Sequence, residues 1–360
     1  MFTKMIPTFK NIHRKFKLDG NHFGHEALKE VAYSFVKEGN PHEQKIGNFL
    51  LDWLDEKTYV AVLTSGSTGK PKPIRLDKQA MVHSALATGD FFGIESGNTA
   101  LQCLPSNFIA GKMMLVRAMI LGLSLDLVQP TSNPMKDLYK PYDFVAMTPM
   151  QAHNSLDKLN QIKTMIIGGA PIFPKLLKKL VSLHENCYET YGMTETITHI
   201  AASKLTHPKS PFKALDGIHL GVDDEGCLVV DAPDITDKLI YTNDFVAMHD
   251  KNTFTYLGRR DNAINSGGVK ISPEVVEHKL AHHVNHPFFL YGVEDELLGQ
   301  KLIMVVEGDA SASAQINNQL KGCDELEKYE FPKEVYFVSE ILRNNGKYLR
   351  GKTTKAFEIS

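Results

Sequence analysis

Hydrophobic and polar positions follow two periods along most of this chain. Residues 59–63, 125–128, 144–147 and 164–167 are short apolar or β-branched runs of strand length, separated by longer amphipathic stretches. Residues 175–183 follow Pro171 and Pro174 and carry Leu176, Leu177, Leu180 and Leu183 at helical spacing, which predicts a helix. The longest apolar stretch, 113–128, is interrupted by Arg117 and Asp126. It is too short and too charged to span a bilayer, so it predicts a core helix running into a strand. Up to about residue 240 this alternation predicts an α/β domain. From about Asp216 the pattern shifts to short strands, 226–230, 238–242 and 253–257, which predict a small β subdomain. A polar, glycine-rich segment at 258–268 follows. Ser272 and Pro273 then mark a helix start, as N-cap and first helical residue. Strands expected at 302–306 and 334–338 belong to a final α+β unit. The boundary falls near Asp261, giving a large domain over 1–260 and a small one over 261–360.

Composition narrows the function classes. A chain of 360 residues with 42% hydrophobic content can bury a large core. A formal net charge of -2 gives no reason to expect nucleic acid or an anionic membrane as partner. Cys103, Cys187, Cys227 and Cys323 are far apart and show no paired metal spacing, which fits a reduced, cytoplasmic protein. The basic stretch 1–17 lacks a signal-peptide core and reads as a solvated surface segment. In the cluster His282, His283 and His286, the pair His282 and His286 is one helical turn apart, with no Cys or Glu nearby as third zinc ligand; before Pro287 it reads as a surface helix end.

Candidate chemistry begins after the strand at 59–63. Thr64, Ser65, Gly66, Ser67, Thr68, Gly69 and Lys70 crowd hydroxyls, glycines and an ammonium into one loop, with Lys72 close behind. Such a loop offers backbone N–H groups and cations to a phosphate. It is not a Walker A loop, because Pro71 stands where Ser or Thr would hold Mg²⁺. Four further segments fit the first. Gly168-Gly169-Ala170 ends an apolar strand and allows close approach to a flat ligand. Tyr191-Gly192-Met193-Thr194-Glu195 joins an aromatic face, a hydroxyl and a carboxylate. Tyr241-Thr242-Asn243-Asp244 places an acid at an expected strand end, and residues 342–350 form a basic glycine turn.

Together these strings resemble the adenylate-forming superfamily of acyl-CoA synthetases, peptide-synthetase adenylation domains and luciferases. The resemblance runs from about residue 59 to the end. Gly258-Arg259-Arg260-Asp261, Gly267-Gly268 and Pro273-Glu274-Val275-Val276-Glu277 carry it as specifically as the phosphate loop. It implies a large N-terminal domain, a small mobile C-terminal domain, and ATP, Mg²⁺ and CoA as reactants or cofactor. By resemblance, residues 64–70 cover the ATP phosphates. Gly168, Gly169 and Ala170 lie along the adenine, with Tyr191 against its other side and Gly192 also nucleotide-binding. Thr194 reaches the α-phosphate, Glu195 holds Mg²⁺, Asp244 binds the ribose and Arg259 the ribose or phosphates. Asp261 is the hinge, Gly267 and Gly268 contact CoA, and Lys347 is the catalytic lysine; Lys352, which also follows a glycine, is the alternative.

Some positions depart from the family pattern. The phosphate loop starts at Thr64, so much of the usual first subdomain is expected to be shortened. Asn243 stands where a glycine is usual, and Leu342-Arg343-Asn344-Asn345 replaces the usual lead into the lysine motif. The acid pocket is expected at residues 104–111, including Phe108 and Gly111. No acid occurs between Glu95 and Asp126 to pair with a substrate amine, which argues against an amino acid. Arg117, in an apolar run just beyond, is either a structural arginine or a clamp for a second carboxylate. The segment 109–117 resembles the compact o-succinylbenzoate–CoA ligases of menaquinone biosynthesis. Another aryl- or acyl-CoA ligase is the alternative activity. An inactive nucleotide-binding homologue is the alternative in a different class, and retention of Thr194, Glu195, Asp244 and Lys347 together speaks against it.

Overall fold

The computed structural model describes residues 6–63, 73–344 and 347–359. Two compact units form. One comprises Met1–Gly168, Leu180–His219 and Val230–Ile240, the other Gly169–Lys179, Leu220–Val229 and Tyr241–Ser360.

The first unit is built on parallel strands. Cys187–Gly192, Ile162–Ile167, Tyr142–Met147, Thr99–Gln102, Ser124–Leu127 and Lys17–Leu18 lie side by side in that order. His199–Lys204 and Phe212–Ala214 extend one edge antiparallel. Phe144–Met147 and Met165–Ile167, in the middle of this sheet, read as continuous apolar runs, as strands covered on both faces do. The helix Ile109–Leu121 crosses between two of them and is buried from Gly111 to Ile120, including Lys112 and Arg117. Its end is enforced by Gly122, whose φ of +75° is left-handed and whose missing Cβ would lie 2.1 Å from His13 Nδ1. The strand Ser124–Leu127 follows at once, as the apolar run predicts. Phe49, Trp53, Met113, Met119 and Phe144 fill the core.

Two helices before the phosphate loop, His25–Glu38 and Pro41–Leu54, were not anticipated from the pattern. Asn40 starts the second with a capping box: its side chain accepts from His42 N and Glu43 N, and Glu43 returns a bond to Asn40 N. The reading of 1–17 as a solvated segment is corrected at its end. Phe16 and Leu18 are 1% and 2% exposed, and Lys17–Leu18 pairs with Ser124–Leu125, because two apolar side chains among the lysines find the core.

The second unit holds the antiparallel pair Ile240–Met248 and Thr253–Arg259. Its C-terminal sheet has Val269–Ile271, Ile264–Ser266, Gly299–Glu307 and Phe288–Asp295 in order, with Glu334–Val338 parallel to Gly299–Glu307. Leu302, Met304 and Val306 face the helices Pro273–Leu280 and Ser313–Lys321. Ile303 and Val305 face the other way, toward Phe289, Val338 and Ile341. Burial of both faces explains the unbroken apolar run at 302–306. Ser272 stands at the N-cap and Pro273 at the helix start as expected, but the Ser272 hydroxyl makes no cap bond and donates to Leu257 O at 2.6 Å instead.

Candidate active site at the carboxyl ends of the strands

Parallel pairing puts the carboxyl ends of Thr99–Gln102, Ile162–Ile167 and Cys187–Gly192 on one edge of the first unit's sheet. Three expected site segments follow those ends: residues 104–111, Gly168, and Met193 to Glu195. Ligands of open α/β sheets bind at this edge.

At Gly168 the fit is tight on one side. Its N–H donates to Met147 O at 3.1 Å, and a Cβ there would sit 2.6 Å from Thr190 Oγ1, which itself donates to Ile167 O. Gly169 has φ +86°, and a Cβ there would meet nothing within 4 Å, so this peptide face is open to a planar group. Tyr191 lies against Phe212, with ring centroids 5.9 Å apart. Gly192 is obligatory, because a Cβ would fall 2.2 Å from Thr198 O. The hairpin after it is held by Thr196, whose hydroxyl accepts from Met193 N at 3.0 Å and lies 2.7 Å from Thr198 O. Ile197, β-branched and buried, has φ +65°. A strained residue of this kind holds only where its surroundings over-determine it. Here the strained turn presents Thr194 and exposed Glu195.

The donor set suits Mg²⁺. Among the described residues no three His, Cys, Asp or Glu side chains gather as a metal site. Mg²⁺ needs none, since it keeps its waters and takes one or two carboxylates plus substrate phosphates. Glu195 would offer such a site a carboxylate and Thr194 a hydroxyl.

Phe108 stands at the N-cap of Ile109–Leu121 and is 39% exposed. Gly111 lets the helix approach the preceding loop, since a Cβ would lie 2.4 Å from Pro105 O. Arg117 is 1% exposed, and the hydrogen-bond partners it has among the described residues are neutral. Its Nε donates to Thr88 Oγ1 at 3.3 Å, Nη2 to Thr198 Oγ1 at 3.2 Å, and Nη1 lies 3.8 Å from Met114 Sδ. No carboxylate pairs with it among the described residues, and burial pushes its pKa down to about 9. His199 completes the cluster, with Nε2 3.3 Å from Thr88 Oγ1. Burial, helped by the Arg117 charge, holds His199 well below the usual histidine range. Sequence reading missed Thr88, Thr198 and His199, because Thr198 lies 81 residues from Arg117 and only the folded hairpin joins them.

In the second unit Asp244 is not at a strand end. It sits inside Ile240–Met248, opposite Arg259, because Thr242, Asp244 and Val246 alternate inward and extend the strand. Arg259 Nη1 lies 3.6 Å from Asp244 Oδ1, and Nη2 is 2.9 Å from Asp261 Oδ2. Asn243 bridges Arg260 and Asp261, accepting from Arg260 Nη2 at 2.6 Å and donating to Asp261 Oδ2 at 3.3 Å. Gly267 and Gly268, with φ +59° and +82°, form the tight turn between Ile264–Ser266 and Val269–Ile271. Lys347 is exposed on a two-residue strand paired with Arg343–Asn344, and Lys352 is exposed on the helix Arg350–Ala356. Residues 64–70 lie outside the described residues; their flanking strands, Tyr59–Leu63 and Pro73–Asp77, pair as an antiparallel hairpin.

A family model described as AMP-binding enzyme matches residues 30–230. The chain belongs to the AMP-binding enzyme family. Its adenylate-forming fold is shared with solved structures. One, an acyl-CoA synthetase (AMP-forming)/AMP-acid ligase II-like protein from Dyadobacter fermentans, is 34% identical with a TM-score of 0.60, over 91% of this chain and 98% of that one. The o-succinylbenzoate coenzyme A synthetase of Bacillus subtilis, in complex with ATP and magnesium ion, is 21% identical with a TM-score of 0.71, over 82% of this chain and 69% of that one. A 2-succinylbenzoate–CoA ligase of Bacillus cytotoxicus is 28% identical over 80% of this chain and 68% of its own length. Among the described residues no helix is long and apolar enough to cross a membrane.

Proposed function

We propose that this AMP-forming acid–CoA ligase activates o-succinylbenzoate and passes the acyl group to CoA, as a cytoplasmic step of menaquinone biosynthesis. One observation carries the choice of acid. Arg117 is a buried guanidinium whose hydrogen-bond partners are two hydroxyls and a thioether, with no carboxylate paired among the described residues. A buried charge without a counter-ion is costly, and a substrate carboxylate beside it repays that cost. The names of relatives such as the Bacillus cytotoxicus ligase support the same acid.

The reaction needs no protein nucleophile. A carboxylate oxygen attacks the α-phosphorus of ATP and pyrophosphate leaves. The CoA thiolate then attacks the acyl carbon and AMP leaves. Residues 64–70 would bind the phosphates, Thr194 the α-phosphate, and Asp244 with Arg259 the ribose. Glu195 would hold Mg²⁺, which when bound would supply positive charge to the phosphates. Lys347 would neutralise charge developing at the α-phosphate, and Asp261 would be the pivot of the small domain over 261–360. Positioning and charge stabilisation provide the rate enhancement. ATP–pyrophosphate exchange across a panel of carboxylic acids tests the proposal. o-Succinylbenzoate is expected to support exchange far better than either mono-acid lacking one of its carboxylates; equal exchange with all three would remove the assignment.

A further inference from the structure

The hairpin that carries Lys347 is tied to its own unit by two arginines: Arg343, whose Nη2 lies 2.7 Å from Glu307 Oε2, and Arg350, which follows the hairpin directly. Leu349 N donates to Leu342 O at 2.8 Å, closing the hairpin, and the helix Arg350–Ala356 begins at the next residue. Arg350 Nη2 donates to Glu277 Oε2 at 2.9 Å and lies 3.5 Å from Glu274 Oε1, while Nη1 donates to Leu290 O at 3.1 Å. Glu277 Oε1 accepts from Leu290 N at 2.7 Å. Leu290 lies on Phe288–Asp295, the outer strand of its sheet, so both of its outward backbone groups are taken by this pair. The ring Leu290 N, Glu277, Arg350, Leu290 O therefore fixes the start of the last helix against the strand edge. Glu274 extends it, accepting from Asn262 Nδ2 at 2.5 Å, one residue past Asp261.

We propose that Glu277 is a positioning residue for the adenylation half-reaction, setting the place of the Lys347 hairpin through Arg350. The proposal rests on the reading of Lys347 as the lysine that acts in adenylation. A planar guanidinium held by three oxygens has a defined orientation, whereas a lysine ammonium at the same place could not bridge them. Burial, offset by the pull of Arg350, moves the Glu277 carboxyl up to about 7. The charged or titratable groups that face it are Arg350 from the last helix, Glu274 from its own helix and Tyr348 from the hairpin. The strand Phe288–Asp295 contributes the backbone of Leu290. As pH falls through that value Glu277 takes up a proton and Arg350 loses the nearer of its two charged partners, keeping Glu274 at 3.5 Å.

The test separates the two half-reactions in the full-length enzyme, by pyrophosphate exchange and by thioester formation from supplied acyl-adenylate. Glu277→Gln is expected to lower the exchange kcat roughly 10- to 100-fold, the scale of a misplacement of about 1 Å. The KM values for ATP and acid should hold, because Glu277 touches neither, and thioester formation should be kept. The wild-type decline of exchange on the acid side of pH 7 should vanish in this variant. Glu277→Asp, which retains the charge, is expected to recover part of the loss. Arg350→Lys should reproduce the split, and it decides the matter if Glu277→Gln does not fold. Equal losses in both half-reactions, or none, would overturn the proposal. Lys347→Ala is measured alongside: if it shows no adenylation-specific loss, the reading of Lys347 has failed, whatever Glu277→Gln does.

Discussion

Replacing Arg117 by methionine should stabilise the protein and disable it for its acid. The guanidinium is 1% exposed, and its three polar neighbours carry no charge. Its pKa, moved from 12.5 to about 9, corresponds to roughly 4–5 kcal/mol against the charged form. Methionine is similar in length, carries no charge and packs adaptably. Thr88 Oγ1 keeps its bond to Ser84 O at 2.9 Å, so that hydroxyl is not orphaned. The loss of the hydrogen bonds to Thr88 and Thr198 offsets part of the gain, leaving a net stabilisation of about 1–3 kcal/mol. Catalysis moves the other way. Removal of a charge-assisted pair with a desolvated carboxylate should lower kcat/KM for o-succinylbenzoate about 30- to 1000-fold, or about 2–4 kcal/mol. A mono-acid lacking the remote carboxylate should lose little, and exchange supported by it measures intact ATP use. Urea unfolding and pyrophosphate exchange give the two numbers. A destabilised Arg117→Met with unchanged preference for the diacid would refute the reasoning and make Arg117 a structural residue.

Other outcomes follow from single positions. Lys347→Ala should lose about 10²–10³-fold in pyrophosphate exchange while still converting supplied adenylate and CoA to thioester; the same split in Lys352→Ala instead would move the role to that lysine. Asp261→Pro, which fixes φ at the proposed pivot, should form adenylate but transfer it slowly, as quenched-flow assay of each step would show. Gly192→Ala forces a Cβ to within 2.2 Å of Thr198 O and 2.6 Å of His199 Cα, both backbone. It should destabilise by about 1–3 kcal/mol in urea, and wild-type stability would mean the hairpin yields there. His199 is held well below its usual 6.5. Below pH 6.5 the unfolded chain therefore binds a proton the native state does not, and its contribution to stability falls with pH at up to about 1.4 kcal/mol per unit. His199→Gln should show a shallower acid slope in urea unfolding between pH 7 and 5, and an unchanged slope would rule out a buried neutral imidazole.

Local pattern was legible where packing agreed with it. The strand Tyr59–Leu63 and the strand Glu334–Val338 have the expected bounds, and the helix Pro174–Leu183 begins one residue early. Expectation failed where a distant partner decided the outcome. Asp244 lies within a strand because Arg259 faces it across the ladder, and Lys17–Leu18 is a strand because Ser124–Leu125 offers an edge. Ser272 has the residue type of a cap but spends its hydroxyl on Leu257 O. The candidate site strings could be read because each is compact in sequence. The neutral setting of Arg117 was not, since Thr88 and Thr198 arrive from a helix and a hairpin far along the chain.

The central claim is that a carboxylate of the substrate attacks the α-phosphate. o-Succinylbenzoate labelled with ¹⁸O in both carboxylates, turned over with ATP, Mg²⁺ and CoA, tests this by mass spectrometry of the nucleotide and phosphate products. The oxygen that joins acyl group and phosphorus stays on phosphorus when the thiol attacks the acyl carbon. The account therefore predicts AMP carrying one ¹⁸O, unlabelled pyrophosphate, and a CoA thioester. Unlabelled AMP, or ADP with ¹⁸O in orthophosphate, would contradict it.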